Sequence, residues 1–150
     1  MSGTKAGCSR SCVPECPGGW EQLDRRCYLF GNSSLTWSKA EEYCKSGGGH
    51  LASVTSEKIN KFLAQLLDNR NTKDIWIGAT DQGVEGTFAW SDCSRWGFTS
   101  WEDNQPNDLN NNEDCAELNI GRQSASWNDL PCESDKKFVC AKEICPGNRV

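Results

Sequence analysis

The spacing of apolar residues along the chain predicts two helices. Thr36 can cap the first, the glycines at 47–49 end it, and three residues share one side: Trp37, Ala40 and Cys44. The second follows the Thr-Ser pair at 55–56. Its apolar residues recur at helical spacing and form an ordinary core-facing stripe: Ile59, Phe62, Leu63, Leu66 and Leu67.

Short apolar runs predict strands at 27–30 (CYLF), 76–78 (WIG), 88–90 (FAW) and 137–142 (KFVCAK). Between the last two lies a region, about 91–125, that is rich in Gly, Asn, Asp and Ser and contains isolated tryptophans. A stretch of this length without secondary structure indicates either a functional loop or a wrong assignment of the elements. Cys115 and Cys132 bracket its far end, so a disulfide could hold it in shape. The pattern therefore predicts a small α+β domain.

Composition narrows the class of protein. The 150 residues favour one domain, and 21 Asp plus Glu against 16 Lys plus Arg argue against a nucleic-acid-binding protein. No stretch approaches the ~20 apolar residues of a membrane helix. The N-terminus lacks the apolar core of a signal peptide, so we expect a processed chain.

Ten cysteines are a high and even number, which predicts a disulfide framework in an oxidising, extracellular compartment. Zinc binding is the alternative. However, the first three cysteines are separated by three residues rather than two, and His50 is the only histidine. Asn32-Ser33-Ser34 is a sequon for N-glycosylation, which fits a secreted protein.

Two polar motifs concentrate carboxylates and carboxamides, QPNDLNNNEDC at 105–115 and WND at 127–129. Such oxygen atoms are hard ligands that suit calcium, whereas zinc or copper would require His or Cys. If the peptide bond before Pro106 is cis, the side chains of Gln105 and Asn107 turn to the same side. The alternative is a solvated, Asn-rich loop.

Taken together, these motifs resemble the C-type lectin-like domain family in its long form, which has an extra N-terminal disulfide hairpin. The resemblance rests on CPGGW and CYLF, WIGATD, QPN followed by ED-C, WND, and FVCAK. It implies an α+β fold in which two helices flank small antiparallel sheets and a disulfide-stapled long loop binds calcium. It also implies a tail at 1–15, a carbohydrate-recognition domain at 16–142 and a tail at 143–150.

The resemblance implies three disulfides, Cys16–Cys27, Cys44–Cys140 and Cys115–Cys132. The family pattern does not include Cys8, Cys12, Cys93 and Cys145. Because family members bring their termini together, Cys145 could reach Cys8 or Cys12. We expect the remaining tail cysteine, Cys93 or both to bridge to another chain and form a disulfide-linked oligomer.

The resemblance also implies two calcium sites. The ligands of the principal site, which would also contact the sugar, are Gln105, Asn107, Glu113, Asn128 and Asp129. The second site would use Asp81, Glu85, Asp108 and Asp114, with Glu113 shared. For Asp81 and Glu85 the alternative is that they are solvated turn residues.

The triplet Gln-Pro-Asn departs from the family pattern. Mannose binders usually have Glu-Pro-Asn and galactose binders Gln-Pro-Asp, so one carboxylate is missing here. Calcium affinity depends on ligand charge, and we therefore expect weaker calcium binding at the principal site. Glu113 remains an acceptor and Asn128 a donor for sugar hydroxyls, and no aromatic residue follows the triplet. We expect mannose- or fucose-type glycans as partners, with galactose the next choice.

Other function classes fit less well. The sequence has no nucleophile elbow and no HExxH motif, and we expect His50 to be structural and the protein not to be an enzyme. Similar domains serve as fish antifreeze and mineral-associated proteins, which makes ice or mineral binding the alternative function. Protein-binding domains of this kind usually lose the calcium ligands. We expect most of the loop tryptophans to be core residues, with a sugar platform as the alternative for Trp96.

Overall fold

The computed structural model describes residues 11–106, 113–121 and 125–146. Within these ranges two helices and nine strands form one domain. In chain order they are β1 (Cys12–Val13), β2 (Glu21–Leu23), β3 (Arg26–Phe30), α1 (Trp37–Ser46), β4 (His50–Leu51), α2 (Glu57–Asn69), β5 (Asp74–Val84), β6 (Thr87–Trp90), β7 (Cys115–Asn119), β8 (Ser126–Leu130) and β9 (Val139–Ile144).

The first sheet brings the two ends of the described chain together. Its order is β1-β9-β3-β2, and β4 also pairs with β9. Strands β3 and β9 are antiparallel, with Phe30 opposite Val139, whereas β1 and β9 are parallel, with Cys12 opposite Glu143. Part of the N-terminal segment expected as a tail therefore forms an edge strand, and β9 continues to Ile144.

The second sheet, of order β6-β5-β7-β8, carries the residues of the candidate site. Strand β7 lies inside the region predicted as a loop, and that prediction is wrong for 115–119. All five residues of β7 are buried, including Glu117 and Asn119. Polar side chains in a central strand remove the apolar signal by which a buried strand is recognised in a sequence.

Both predicted helices are confirmed. The Thr36 hydroxyl caps α1 by accepting a hydrogen bond from the Lys39 N–H at 3.3 Å, and Ser56 caps α2 in the same way from Ile59. The apolar stripe of α2 packs into a core that both sheets share, and the ring of Phe62 lies 5.3 Å from that of Tyr28 in β3. The helix also buries a polar residue, Asn60. None of the described helices is long and apolar enough to cross a membrane.

The core beneath the long loop is aromatic rather than aliphatic. Trp127 is fully buried, and its ring contacts the rings of Trp90, Trp101 and Phe98 at centroid distances of 5.4, 5.6 and 5.9 Å. Trp96 is half-buried and lies 4.8 Å from the Trp90 ring. Most loop tryptophans are thus core residues, as expected, and Trp96 packs with them.

The three disulfides implied by the resemblance are present: Cys16–Cys27, Cys44–Cys140 and Cys115–Cys132. A fourth joins Cys12 to Cys145 and ties β1 to the end of β9. Cys93 is also disulfide-bonded, and the described part of the chain contains no free cysteine. The expectation that Cys93 is left over to bridge to another chain is therefore wrong.

Gly78, in the WIG motif, lets β5 pass close to β4. Its N–H donates to the Ala52 carbonyl at 2.8 Å, and its carbonyl accepts from the Ser91 N–H at 2.8 Å, so the strand cannot shift. An added methyl group would lie 2.7 Å from the Leu51 carbonyl oxygen. We expect Gly78→Ala to lower the free energy of unfolding by about 1–3 kcal/mol in urea titrations.

Gly83→Ala is the matched control. It lies in the same strand, and a methyl group there would meet nothing within 4 Å. Its effect should stay below about 1 kcal/mol. Equal destabilisation by the two substitutions would show that close approach is not what requires glycine at position 78.

Candidate functional site

The tryptophan of the WND motif fixes β8 against α2. The indole Nε1 of Trp127 donates a hydrogen bond of 2.9 Å to Oδ1 of Asn60. The Asn60 amide in turn donates from Nδ2 to the Ala125 carbonyl at 2.7 Å, directly before β8. When the oxygen and the nitrogen of a buried amide both have hydrogen-bond partners, the amide fixes the relative position of the elements that it joins. Trp127 therefore anchors the strand whose next two residues are predicted ligands.

Asn128 and Asp129 follow on β8 and are 8% and 0% exposed. Strand β7 runs antiparallel to β8, with Ala116 opposite Asp129. Glu113, which precedes β7 by two residues, is 9% exposed and lies at the same end of the sheet. The register of this pair of strands therefore brings three predicted ligands of the principal site to one end of the second sheet.

A buried ion-pair network lies beside Asn128. Its Nδ2 donates to Oε2 of Glu117 at 3.2 Å, and Oε1 of Glu117 lies 3.0 Å from Nζ of Lys136. Lys136 also donates to Oδ1 of Asp74 at 3.0 Å. Burial lowers the pKa of Lys136, but Glu117 and Asp74 outweigh burial and raise that pKa above its ordinary value. The Lys136 side chain therefore stays charged.

Glu117 was not among the predicted site residues. The sequence does contain a signal for it, which is a lone carboxylate two residues after Cys115 and inside a strand. Because a buried carboxylate is found with a partner, such a residue indicates either an ion pair or a ligand.

The turn that carries Gln105 is tied to β8. The Glu102 N–H donates to the Trp127 carbonyl at 2.8 Å, and the Gln105 N–H donates to the Glu102 carbonyl at 2.9 Å. The Gln105–Pro106 peptide bond is cis. Oε1 of Gln105 is buried and accepts no hydrogen bond from the described part of the chain. The remaining predicted ligands, Asn107 and Asp108, lie outside the described residues.

Three of the predicted ligands of the second site come together. One carboxylate oxygen from each of Asp81, Glu85 and Asp114 lies within 4.8 Å of the other two. The Asp81 N–H donates to the Asp114 carbonyl at 3.0 Å, and the Gly86 N–H donates to Oδ2 of Asp81 at 2.9 Å. Oδ1 of Asp81 and Oδ1 of Asp114 are buried and accept no hydrogen bond from any described residue.

These orphaned oxygen atoms fit a hard cation. Buried acceptors without a partner are rare in native proteins, and each costs stability. The described ligand residues offer carboxylate and amide oxygens and no imidazole or thiol, which suits calcium better than zinc. Gln105, Asn128 and Asp129 could hold one ion with Glu113. Asp81, Glu85 and Asp114 could hold another.

His50 lies outside these clusters and has a structural partner. Its Nδ1 lies 2.7 Å from Oε2 of Glu41, whose other oxygen accepts hydrogen bonds from the Leu51 N–H and the Ser91 hydroxyl. The hydrogen bond to Glu41 raises the pKa of His50 above its ordinary value. The pair joins α1 to β4, as expected for a structural histidine.

A two-helix α+β fold with a disulfide-closed loop and an oxygen-rich end of the sheet defines a lectin-like domain. Residues 33–142 match the model of the Lectin C-type domain, and the chain belongs to this family. It is 35% identical over 147 residues to the galactose-specific lectin nattectin of Thalassophryne nattereri, covering 95% of this chain and 89% of that protein.

Two further relatives show the range of the family. The type-2 ice-structuring protein of Hemitripterus americanus is 35% identical over 139 residues, which is 92% of this chain and 82% of that protein. The crystal structure of the C-type lectin CEL-I from Cucumaria echinata superposes with a TM-score of 0.80 at 30% identity. The match covers 85% of this chain and 96% of that one. The fold is thus shared by proteins named for sugars and for ice.

Removing a negative charge from the cluster of Asp81, Glu85 and Asp114 should stabilise the metal-free fold. Burial, together with the neighbouring Asp114, raises the pKa of Asp81 above its ordinary value. An acid whose pKa is higher in the folded state stabilises the fold at low pH, and this contribution is lost as the pH rises through that pKa. At neutral pH and in EDTA, Asp81→Asn should therefore raise the Tm.

The matched control is Asp135→Asn, at an exposed position with no neighbouring carboxylate cluster among the described residues. It should leave the Tm nearly unchanged, and thermal melts monitored by circular dichroism measure both variants. An unchanged or lower Tm for Asp81→Asn in EDTA would show that ionised Asp81 does not destabilise the metal-free fold.

Proposed function

We propose that the protein is a calcium-dependent carbohydrate-binding lectin. The observation that carries this proposal is the buried Oε1 of Gln105, which has no partner within the described ranges and lies in a turn bonded to the strand of Asn128 and Asp129. Membership of the Lectin C-type domain family supports it, as does the absence of a nitrogen or sulfur ligand among the described members of this set. We propose an extracellular binding protein rather than an enzyme.

In this proposal the principal site consists of Gln105, Asn107, Glu113, Asn128 and Asp129. A bound calcium ion would supply free coordination positions for two neighbouring hydroxyl groups of a sugar. The protein side chains add direction: Glu113 accepts a hydrogen bond from one hydroxyl, and the second N–H of Asn128 donates to another. Binding of one sugar should be weak, with a Kd of order 1 mM, so several sites must act on one glycan surface.

The second site would consist of Asp81, Glu85, Asp108 and Asp114, with Glu113 shared. Three of these carboxylates already lie within 4.8 Å of one another. A cation there would offset their mutual repulsion and fix the segment that leads into β7. Its role is thus to support the loop, while the principal site contacts the sugar.

Mannose- and fucose-type sugars are the first candidates, because the acceptor Glu113 and the donor Asn128 keep the asymmetry expected for them. Galactose is the second candidate, and the name of the relative nattectin supports it. Ice binding is the alternative function, favoured by the similarity to an ice-structuring protein. The charged and amide-rich ends of β7 and β8 suit hydrated ligands better than an ice lattice.

Chromatography on mannose- and galactose-agarose tests the function. We expect retention with calcium on the mannose resin and release by EDTA. Asp129→Asn should abolish retention because it removes a buried carboxylate ligand, whereas the exposed control Asp135→Asn should be retained like the parent. No retention on either resin, despite measured calcium binding, would refute the proposal, and thermal hysteresis would then support ice binding.

Glu117 determines which end of the Asn128 amide faces the site. A carboxylate can only accept hydrogen bonds, so Nδ2 of Asn128 must face it and Oδ1 points away from it. A glutamine at position 117 has one acceptor, which the charged Lys136 takes. The amino group of the glutamine then faces Asn128, and the Asn128 amide must turn its Oδ1 towards that amino group. Nδ2 of Asn128 would then replace Oδ1 as the atom that faces the other calcium ligands.

We therefore expect Glu117→Gln to weaken calcium binding about tenfold, equivalent to about 1.4 kcal/mol, by calorimetric titration. Asp74→Asn is the matched control, because it removes the other carboxylate of Lys136 without contacting Asn128. Adding Asn128→Asp to Glu117→Gln should restore affinity, since the introduced carboxylate accepts from the new amino group and still offers an oxygen to the ion. Equal losses in the two single variants would instead indicate a general effect of the lost ion pair.

A further inference from the structure

We infer that Asn32 is a site of N-linked glycosylation. Asn32-Ser33-Ser34 is the only Asn-x-Ser/Thr triplet in the sequence. Such a triplet is an acceptor only where it is accessible to the transferring enzyme and where the folded protein leaves the sugar in water. This inference is independent of calcium and sugar binding and requires only that the chain enter the secretory pathway.

The structure exposes all three residues of the triplet. Asn32, Ser33 and Ser34 form a bend between β3 and the cap of α1, and all three are solvent-exposed. In the described part of the chain, no hydrogen bond or ion pair involves their side chains. The Nδ2 of Asn32 is thus available, and attachment of a sugar there breaks no contact of the fold.

The segments on either side hold this bend in place. Before it, the Gly31 N–H donates to the Phe138 carbonyl at 2.8 Å. After it, the Leu35 N–H donates to the Lys136 carbonyl at 2.9 Å, and the reverse bond is also 2.9 Å. Because both ends of the bend are hydrogen-bonded to the segment leading into β9, the triplet forms a short exposed bend and is not part of a sheet.

The surface beside Asn32 has room for a sugar. A cleft of about 140 Å³ adjoins the asparagine and is lined by the polar side chains of Arg70, Thr72 and Lys137. These groups can donate hydrogen bonds to the hydroxyls and the acetamide carbonyl of the first N-acetylglucosamine. None of the residues lining the cleft belongs to the candidate calcium sites, so the glycan would leave those sites accessible.

The modification is a transfer of an oligosaccharide from a lipid pyrophosphate donor. A bond forms between Nδ2 of Asn32 and the anomeric carbon of the first sugar, and the bond from that carbon to the pyrophosphate oxygen breaks. The lipid pyrophosphate leaves with the electron pair, and Nδ2 loses one proton. The Ser34 hydroxyl is the group in the triplet that the enzyme must recognise, while the middle residue, Ser33, is not read.

The test uses the full chain secreted from eukaryotic cells and intact mass measured before and after treatment with peptide N-glycosidase F. We expect one glycan per chain, removed by the enzyme with conversion of the modified asparagine to aspartate, and peptide mapping should place this change at position 32. Ser34→Ala should be secreted without the glycan. Ser33→Ala, an equally exposed neighbour, should keep it.

A secreted parent protein whose mass equals that of the unmodified chain and does not respond to the enzyme would overturn the inference. So would a glycan that persists in Ser34→Ala. Parent and Ser34→Ala proteins should bind the sugar resins equally, since the cleft and the calcium-site residues do not overlap. Failure of resin binding in both would count against the proposed function and leave the assignment of Asn32 intact.

Discussion

The candidate site depends on the burial of one indole. The segments around β7 and β8 contain few aliphatic residues, so the ring of Trp127 supplies the apolar surface on which they pack, and it contacts Trp90, Phe98 and Trp101. Its polar end is equally important, because the hydrogen bond to Asn60 fixes the ring in a single orientation. Backbone bonds from the same residue then position the Gln105 turn.

A second constraint is the buried charge of Glu117. Replacing one partner of a buried ion pair typically costs about 3–5 kcal/mol, whereas a pair of apolar residues of the same volume is often no less stable. Stability alone therefore does not explain why this strand contains a carboxylate. The contact with Asn128 offers a reason: an apolar residue could fill the space but could not determine the orientation of an amide.

The sequence was sufficient for both helices, since caps and a repeat of 3.6 residues are local signals, and the family resemblance supplied three disulfides. It was not sufficient for β7, whose buried Glu117 and Asn119 look like loop residues until their distant partners are known. The Cys12–Cys145 pair was one of two alternatives left open for Cys145, and the bonding of Cys93 was not predicted, for a similar reason. They depend on which ends the sheet brings together, and no local pattern encodes that.

The fold holds the acidic cluster of Asp81, Glu85 and Asp114 together although the carboxylates repel one another. The Asp81 N–H and the Thr80 hydroxyl both donate to the Asp114 carbonyl, at 3.0 and 2.7 Å, so contacts with the backbone hold the segments of Asp81 and Asp114 side by side. The arrangement is therefore preorganised, and a cation would relieve a local electrostatic cost rather than drive folding. A cation bound there would then raise the stability of the fold through mass action.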